Sequence, residues 1–123
     1  MAAPNLLSPT TITGKTVTVN LTTTSATSVL SNAASSGKAL KVNSLYAANT
    51  TATVANITIN QYSAAALGGT AFPIASTIAV PGNATLVVIG KDAYVYLEEN
   101  TSLGATAGTS SALQIVCSYE DIS

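Results

Sequence analysis

The feature that most constrains the fold of this chain is an alternation of apolar and polar residues with a period of two. It is clearest in residues 16–22 (TVTVNLT), 54–62 (VANITINQY) and 111–123 (SALQIVCSYEDIS). Apolar residues occupy every second position there, as in a strand with one buried face. No segment shows the 3.6-residue periodicity of an amphipathic helix. The pattern therefore predicts an all-β protein.

Further strands are predicted where turn residues bound shorter apolar runs. They cover residues 26–31, 38–49, 72–80, 84–90 and 94–98. The two faces mix within 38–49, which predicts a β-bulge, and residues 63–72 are predicted to form a loop. About eight short strands of this kind predict a single-domain antiparallel β-sandwich or jelly roll.

Two local features concern residues 80–90. Pro81 and Gly82 suit a type II turn joining strands 72–80 and 84–90, with Pro81 presetting φ and Gly82 supplying the positive φ. Residues 86–89 (LVVI) are apolar on both faces. That composition predicts a central strand whose second face is also covered.

The N-terminal segment 1–14 (MAAPNLLSPTTITG) is predicted to be an extended arm preceding a sandwich domain of residues 15–123. Pro4 and Pro9 disfavour a regular helix or a central strand. Pro4, Leu6, Leu7 and Ile12 give the arm apolar side chains with which to dock on a partner.

Charged residues make up only 7% of the chain, with net charge −1 and neither Arg nor His, against about 25% in an ordinary soluble domain. Ser, Thr and Asn could keep such a surface hydrated. We favour a surface covered in an assembly, because interface cores are depleted in charge. The chain has no basic stripe for nucleic acid. Its apolar runs are shorter than the roughly 20 residues that span a bilayer, and the N-terminus shows no secretory signal.

No catalytic, cofactor or metal site is predicted. TGKT (13–16) resembles the end of a phosphate-binding loop, but Pro9 stands where that loop needs glycine. Glu98 and Glu99 are adjacent and point to opposite faces of a strand. Without His there is no catalytic triad or zinc set, and the lone Cys117 is predicted to be a buried apolar residue. We expect a non-enzymatic protein.

The five tyrosines could form a platform for sugars or could contact a protein partner. They are Tyr46, Tyr62, Tyr94, Tyr96 and Tyr119. We favour protein contact, since tyrosine offers a large contact area at low entropic cost. Tyr94 and Tyr96, on the outward face of their strand, are the predicted contact residues.

Four phrases resemble small virion structural proteins of tailed bacteriophages, particularly those infecting marine cyanobacteria. They are PNLLSPTTITGKT (4–16), ASSGKALKVNSLYAANTTAT (34–53), VPGNATLVVIGKDAYVYLEENTSL (80–103) and QIVCSYEDIS (114–123). The resemblance implies a β-sandwich protein made in the host cytoplasm and present in many copies on the virion. It assigns no catalytic or binding residues.

The expected function is that of a capsid decoration or cement protein, which binds and stabilises neighbouring major capsid subunits. We expect a homo-oligomer that needs no cofactor and binds neither nucleic acid nor membrane. A neck, collar or tail component of the virion is the first alternative. A host-surface or carbohydrate-binding β-sandwich module is the second.

Overall fold

Nine strands and one turn of 3-10 helix make up residues 4–123, the part of the chain that this computed structural model describes. The strands are β1 (Ile12–Leu21), β2 (Thr27–Asn32), β3 (Ala39–Asn49), β4 (Ala55–Ala64), β5 (Gly68–Val80), β6 (Thr85–Ile89), β7 (Val95–Leu97), β8 (Thr101–Ala107) and β9 (Leu113–Ile122). The 3-10 turn (Lys91–Ala93) separates β6 from β7.

The strands form two antiparallel sheets. Sheet A has the order β1-β9-β3-β6, with β7 also paired to β3, and sheet B has the order β2-β8-β4-β5. The pairing is nested: β1 pairs with β9, β2 with β8, β3 with β6 and β7, and β4 with β5. Counting β6 and β7 as one interrupted strand, this is an eight-stranded jelly roll. The predicted fold class is confirmed.

The core lies between the sheets and is built from the alternating positions of the sequence. Ile57 and Ile59 from sheet B and Leu113, Ile115 and Cys117 from sheet A are fully buried in one cluster. Burying each of these Ile or Leu side chains contributes about 1.5–3 kcal/mol. The predicted bulge in 38–49 is also present, as a register shift between Val42 and Ser44.

Residues 63–72, predicted to form a loop, are mostly strand. β4 and β5 continue through this segment and turn only at 65–67. Neighbouring side chains hold the tip of this hairpin: Leu67 N donates to Ser102 Oγ at 2.9 Å and Ala65 N donates to Asn100 Oδ1 at 3.1 Å. The prediction was wrong because these partners come from residues more than thirty positions away.

Strand β8 (Thr101–Ala107) was not predicted, although it pairs with both β2 and β4. Its sequence, TSLGATA, is dominated by small residues and contains Gly104. A Cβ at Gly104 would lie 2.7 Å from Leu67 Cδ2, so this glycine makes room for a side chain packed over it. Because Leu67 packs directly against this position, glycine is required there even though its strand propensity is low.

The turn after β5 differs from the prediction. β5 and β6 belong to different sheets, so the turn crosses between sheets. The positive φ, 58°, is at Asn83 and not at Gly82, and Ala84 N donates to Pro81 O at 3.2 Å. Gly82 is required for another reason, since a Cβ there would overlap the backbone of Ala52.

β6 is an edge strand and not the central strand that LVVI (86–89) predicted. Ile89 is buried, but Val87 points outward and is 55% exposed. The second apolar face of β6 is therefore uncovered within this chain.

Gly82→Ala should lower the free energy of unfolding by about 1–3 kcal/mol, the range for forcing atoms into a packed site. Gly90→Ala is the matched control, because a Cβ at Gly90 meets nothing within 4 Å; its effect should stay within about 0.5 kcal/mol. Urea titration followed by circular dichroism measures both. Equal stability of the two variants would contradict the proposed role of Gly82.

Candidate partner interface

The N-terminal arm is shorter than predicted and contains a turn. β1 begins at Ile12, which pairs with Ile122, so residues 12–14 belong to the sandwich. Residues 1–3 of the predicted arm lie outside the described residues. Within 4–11, Ser8 N donates to Asn5 O and Leu7 N donates to Asn5 Oδ1, both at 3.0 Å. This Asn-centred turn replaces part of the expected extended conformation.

The base of the arm is fixed and its apolar tip is exposed. Thr10 N and Thr11 N both donate to Ser123 O, at 2.7 and 3.0 Å. Leu7, at the turn, is 95% exposed and Leu6 is 48% exposed. Ile12 is exposed at the start of β1, whereas Pro4 is half-buried. Three of the four predicted arm contacts are therefore available to a partner.

Further exposed apolar side chains lie on or next to the strands that end the two sheets, β5 in sheet B and β6 and β7 in sheet A. We call these residues the apolar flank. Its six large side chains are between 37% and 58% exposed: Phe72, Ile74, Ile78, Val87, Tyr94 and Tyr96. The predicted contacts Tyr94 and Tyr96 are part of it. The other four were not predicted.

The strand edges of the apolar flank carry little protection against pairing. Free edges are normally guarded by charged side chains, prolines or bulges. No charged residue occurs from position 42 to position 90, which covers β4, β5 and β6. Pro73 and the bulges of β5 are the guards present along that strand. Exposed apolar side chains on edge strands with so little charge are candidates for contact with a partner.

Tyr94 and Tyr96 contact each other at the edge of the apolar flank. Their ring centres are 5.6 Å apart with an interplanar angle of 86°, an edge-to-face arrangement. Lys41 Nζ lies 4.5 Å from the centre of the Tyr94 ring, a cation–π contact. One face of Tyr94 is thereby covered, which reduces the ring surface available to a sugar.

The nine charged side chains are segregated toward one end of the sandwich. Strand register places Lys15, Lys41, Glu120 and Asp121 where β1 begins, β3 begins and β9 ends. The opposite end, formed by loops 22–26, 50–54, 81–84 and 108–112, contains none. The molecule therefore has a charged end, next to the arm, and an uncharged end.

Asp121 links three segments at the charged end. Its Oδ2 accepts from Lys15 Nζ at 3.1 Å and from Lys38 Nζ at 3.2 Å. Partial burial favours the neutral carboxyl, but the hydrogen bonds from the two lysines outweigh it and hold the pKa of Asp121 below its usual value. The same contact raises the pKa of Lys15. These bonds tie β1 and the residue before β3 to β9.

Asp121→Asn should lower the melting temperature at pH 7 by a few degrees, because exposed lysines limit the strength of these pairs. A lowered carboxyl pKa stabilises the fold above about pH 4 and stops doing so as pH falls through that pKa. The difference between variant and wild type should therefore shrink from pH 4 to pH 2. Thermal scans by circular dichroism measure it, with exposed Asp92→Asn as control. A difference that is constant with pH would contradict the ion-pair role.

Cys117 is fully buried in the core, as predicted. Burial raises the pKa of its thiol to about 12, so very little thiolate is present near neutral pH. Ellman's reagent should label Cys117 at least about a hundredfold more slowly in the native protein than in 6 M guanidinium. Equal rates would show that β9 opens readily.

The residues considered for catalysis are not brought together. Glu99 is half-buried and accepts from Gly37 N at 3.1 Å, whereas Glu98 is exposed. Among residues 4–123, no three His, Cys, Asp or Glu side chains form a group that could hold a metal ion. Nor does that part of the chain contain a helix long and apolar enough to cross a membrane.

Comparison with known proteins supports the fold. No family model matches the chain, and no curated protein does. A solved structure described as "Bacillus endospore appendages form a novel family of disulfide-linked pili" is similar to it, with a TM-score of 0.52 and 19% sequence identity. The similarity covers 92% of this chain and 88% of that chain. At this level of identity it shows a shared fold.

Proposed function

We propose that this chain is a non-enzymatic structural protein of a virion, a decoration or cement protein that binds and stabilises neighbouring major capsid subunits. The observation that carries the proposal is the exposed apolar side chains of the apolar flank, whose strands β5 and β6 contain no charged residue. A domain that worked alone in water would leave these edges prone to aggregation. Inside a particle, neighbouring subunits cover such surfaces.

The virion is proposed from the resemblance of residues 4–16, 34–53, 80–103 and 114–123 to small phage structural proteins. The arm is the attachment element of this proposal. Its base is bonded to Ser123, while Leu6 and Leu7 extend from the sandwich in a turn. Two exposed leucines on a short tether suit insertion as apolar anchors into a recess on a capsid subunit.

A second candidate is a subunit of a protein fibre, favoured by the similarity to the pilus structure. That structure is described as disulfide-linked. In this chain Cys117 is buried in the core and is not accessible for a link between subunits. A neck, collar or tail component stays within the virion proposal. Such a component would be present as a single ring, whereas a decoration protein would cover the whole head.

The carbohydrate-binding alternative depends on the tyrosines. Tyr94 has one face occupied by Lys41. A cleft of about 320 Å³ between β1 and β9, lined by Thr18, Asn20, Gln114 and Val116 among others, has no aromatic residue. Glycan-array binding by the isolated protein would favour this alternative over the structural one.

The experiment combines the substitutions Leu6→Ser and Leu7→Ser. Because both side chains are exposed, the variant should keep the wild-type melting temperature. Its occupancy on capsids lacking the native protein should fall at least about tenfold, since it loses two buried apolar anchors. Quantitative mass spectrometry of purified particles measures occupancy and copy number together.

Val54→Ser is the matched control, since Val54 is 60% exposed at the uncharged end, away from the arm. It should bind like the wild type. Deleting residues 1–9 should reproduce the double substitution, because it leaves the β1–β9 pairing intact. Undiminished occupancy of the arm variants would contradict the role of the arm. Wild-type protein that polymerises into fibres without capsids would favour the second candidate.

A further inference from the structure

We propose that the free edge of β1 (Ile12–Leu21) pairs with β1 of a second copy of this chain, antiparallel and about a two-fold axis. The pairing joins the A sheets of the two copies into one continuous sheet. The dimer depends only on this edge, and the use of its two arms on a particle rests on the proposed function.

β1 is the most regular of the strands that end the two sheets. The others interrupt a backbone ladder. β2 has six residues and a register shift after Ser28, β6 has five residues and a register shift, and β5 contains Pro73 and three register shifts. β1 pairs with β9 along its 10 residues without a shift and contains no proline. Shortness, proline and bulges protect an edge, so β1 is the edge left open to another strand.

The charged residue of β1 does not protect its edge. Lys15 is the charged side chain of the strand, and its Nζ lies 3.1 Å from Asp121 Oδ2 on β9. Lysine protects an edge when its charge would have to be buried by an added strand. Here the charge is paired within its own sheet, so a second strand can approach the edge without burying it.

An added strand would also cover apolar surface. Within residues 4–123, β1 pairs with β9 alone. Val17 and Val19 pack against the core but stay half-buried, because no strand lies beyond them in sheet A. Strand addition would pair the free N–H and C=O groups of β1 and bury these two valines at the same time.

Another β1 is the partner strand that this chain offers. The arm is a poor added strand, because Pro4 and Pro9 cannot donate to a ladder. β2, β5 and β6 carry the irregularities described above. Among the strands of residues 4–123, β1 alone matches the length and regularity of the edge to be covered, and pairing with itself closes both free edges at once.

The side chains of β1 are compatible with antiparallel self-pairing. With the axis at Val17, that residue meets its own copy and Thr16 meets Thr18, which are favourable cross-strand pairs. Lys15 then faces Val19, so the two lysines are not opposite each other. Antiparallel strands also direct the two arms to opposite ends of the pair, about 30 Å apart at about 3.4 Å per residue. Such a dimer suits a decoration protein that holds two capsid subunits.

The test places like charges along the edge in two double variants, Thr16→Lys/Thr18→Lys and Thr16→Glu/Thr18→Glu. Both threonines are exposed, so the fold should tolerate either change. Analytical ultracentrifugation of the full chain should show a dimer for the wild type and at least about tenfold weaker association for each variant. An equimolar mixture of the two variants should form dimers again, because opposite charges then meet.

Thr85→Lys/Val87→Lys is the matched control, since it places the same charge on β6 at the other edge of sheet A. It should remain dimeric. Amide hydrogen exchange is the second measurement, because every second amide of β1 points away from β9. These amides should exchange at least about tenfold more slowly in the wild type than in the lysine variant of β1, since a paired strand protects them.

A monomeric wild type, a control that dissociates as readily as the β1 variants, a mixture that stays monomeric or a dimer with unprotected β1 amides would each overturn the proposal. Protection that appears only on capsids would identify a capsid strand as the partner and overturn the second copy. A monomer that still binds capsids through its arm would overturn the dimer alone. A dimer that never binds them would overturn the virion function alone.

Discussion

The pairing of β9 with both β1 and β3 is the contact on which the rest of this structure depends. β9 places Leu113, Ile115 and Cys117 in the core and joins the first strand to the third across sheet A. Asp121 near its end forms the two ion pairs, and Ser123, directly after the strand, accepts the bonds that fix the base of the arm. Because the pairing is nested, it also determines which strands end each sheet. The apolar flank follows from that topology.

Side-chain alternation made the strands with one buried face predictable. Ile57, Ile59 and Leu113 follow a period of two, and that period depends only on strand geometry. β8 was not predicted because it contains Gly104, and glycine has low strand propensity. The glycine is needed there because Leu67 packs directly against it. The position of β6 could not be predicted either. A strand apolar on both faces has the same sequence whether its own chain or a neighbour covers it.

The candidate interface was predictable in part for a related reason. The arm leucines and Tyr94 and Tyr96 stand out in the sequence as apolar residues in a polar or turn-rich context. Phe72 was placed where a predicted loop meets a predicted strand and Val87 in a covered strand, so their exposure on edge strands became visible only with the sheet order. The uncharged run from position 42 to position 90 was the available signal. It shows that a surface is free of charge without showing where that surface lies.

The nested topology has a consequence for biosynthesis. β1 pairs with β9, so residues 12–21 must wait for residues 113–122 before sheet A can close. Such pairings between distant segments slow folding, because loop-closure entropy is lost before contacts form. While the ribosome is still translating, the early strands have no partner and their apolar faces stay accessible to chaperones. Sheet A can therefore form only after residue 122 has left the ribosome, and the yield in a crowded cell depends on how well the early strands are protected until then.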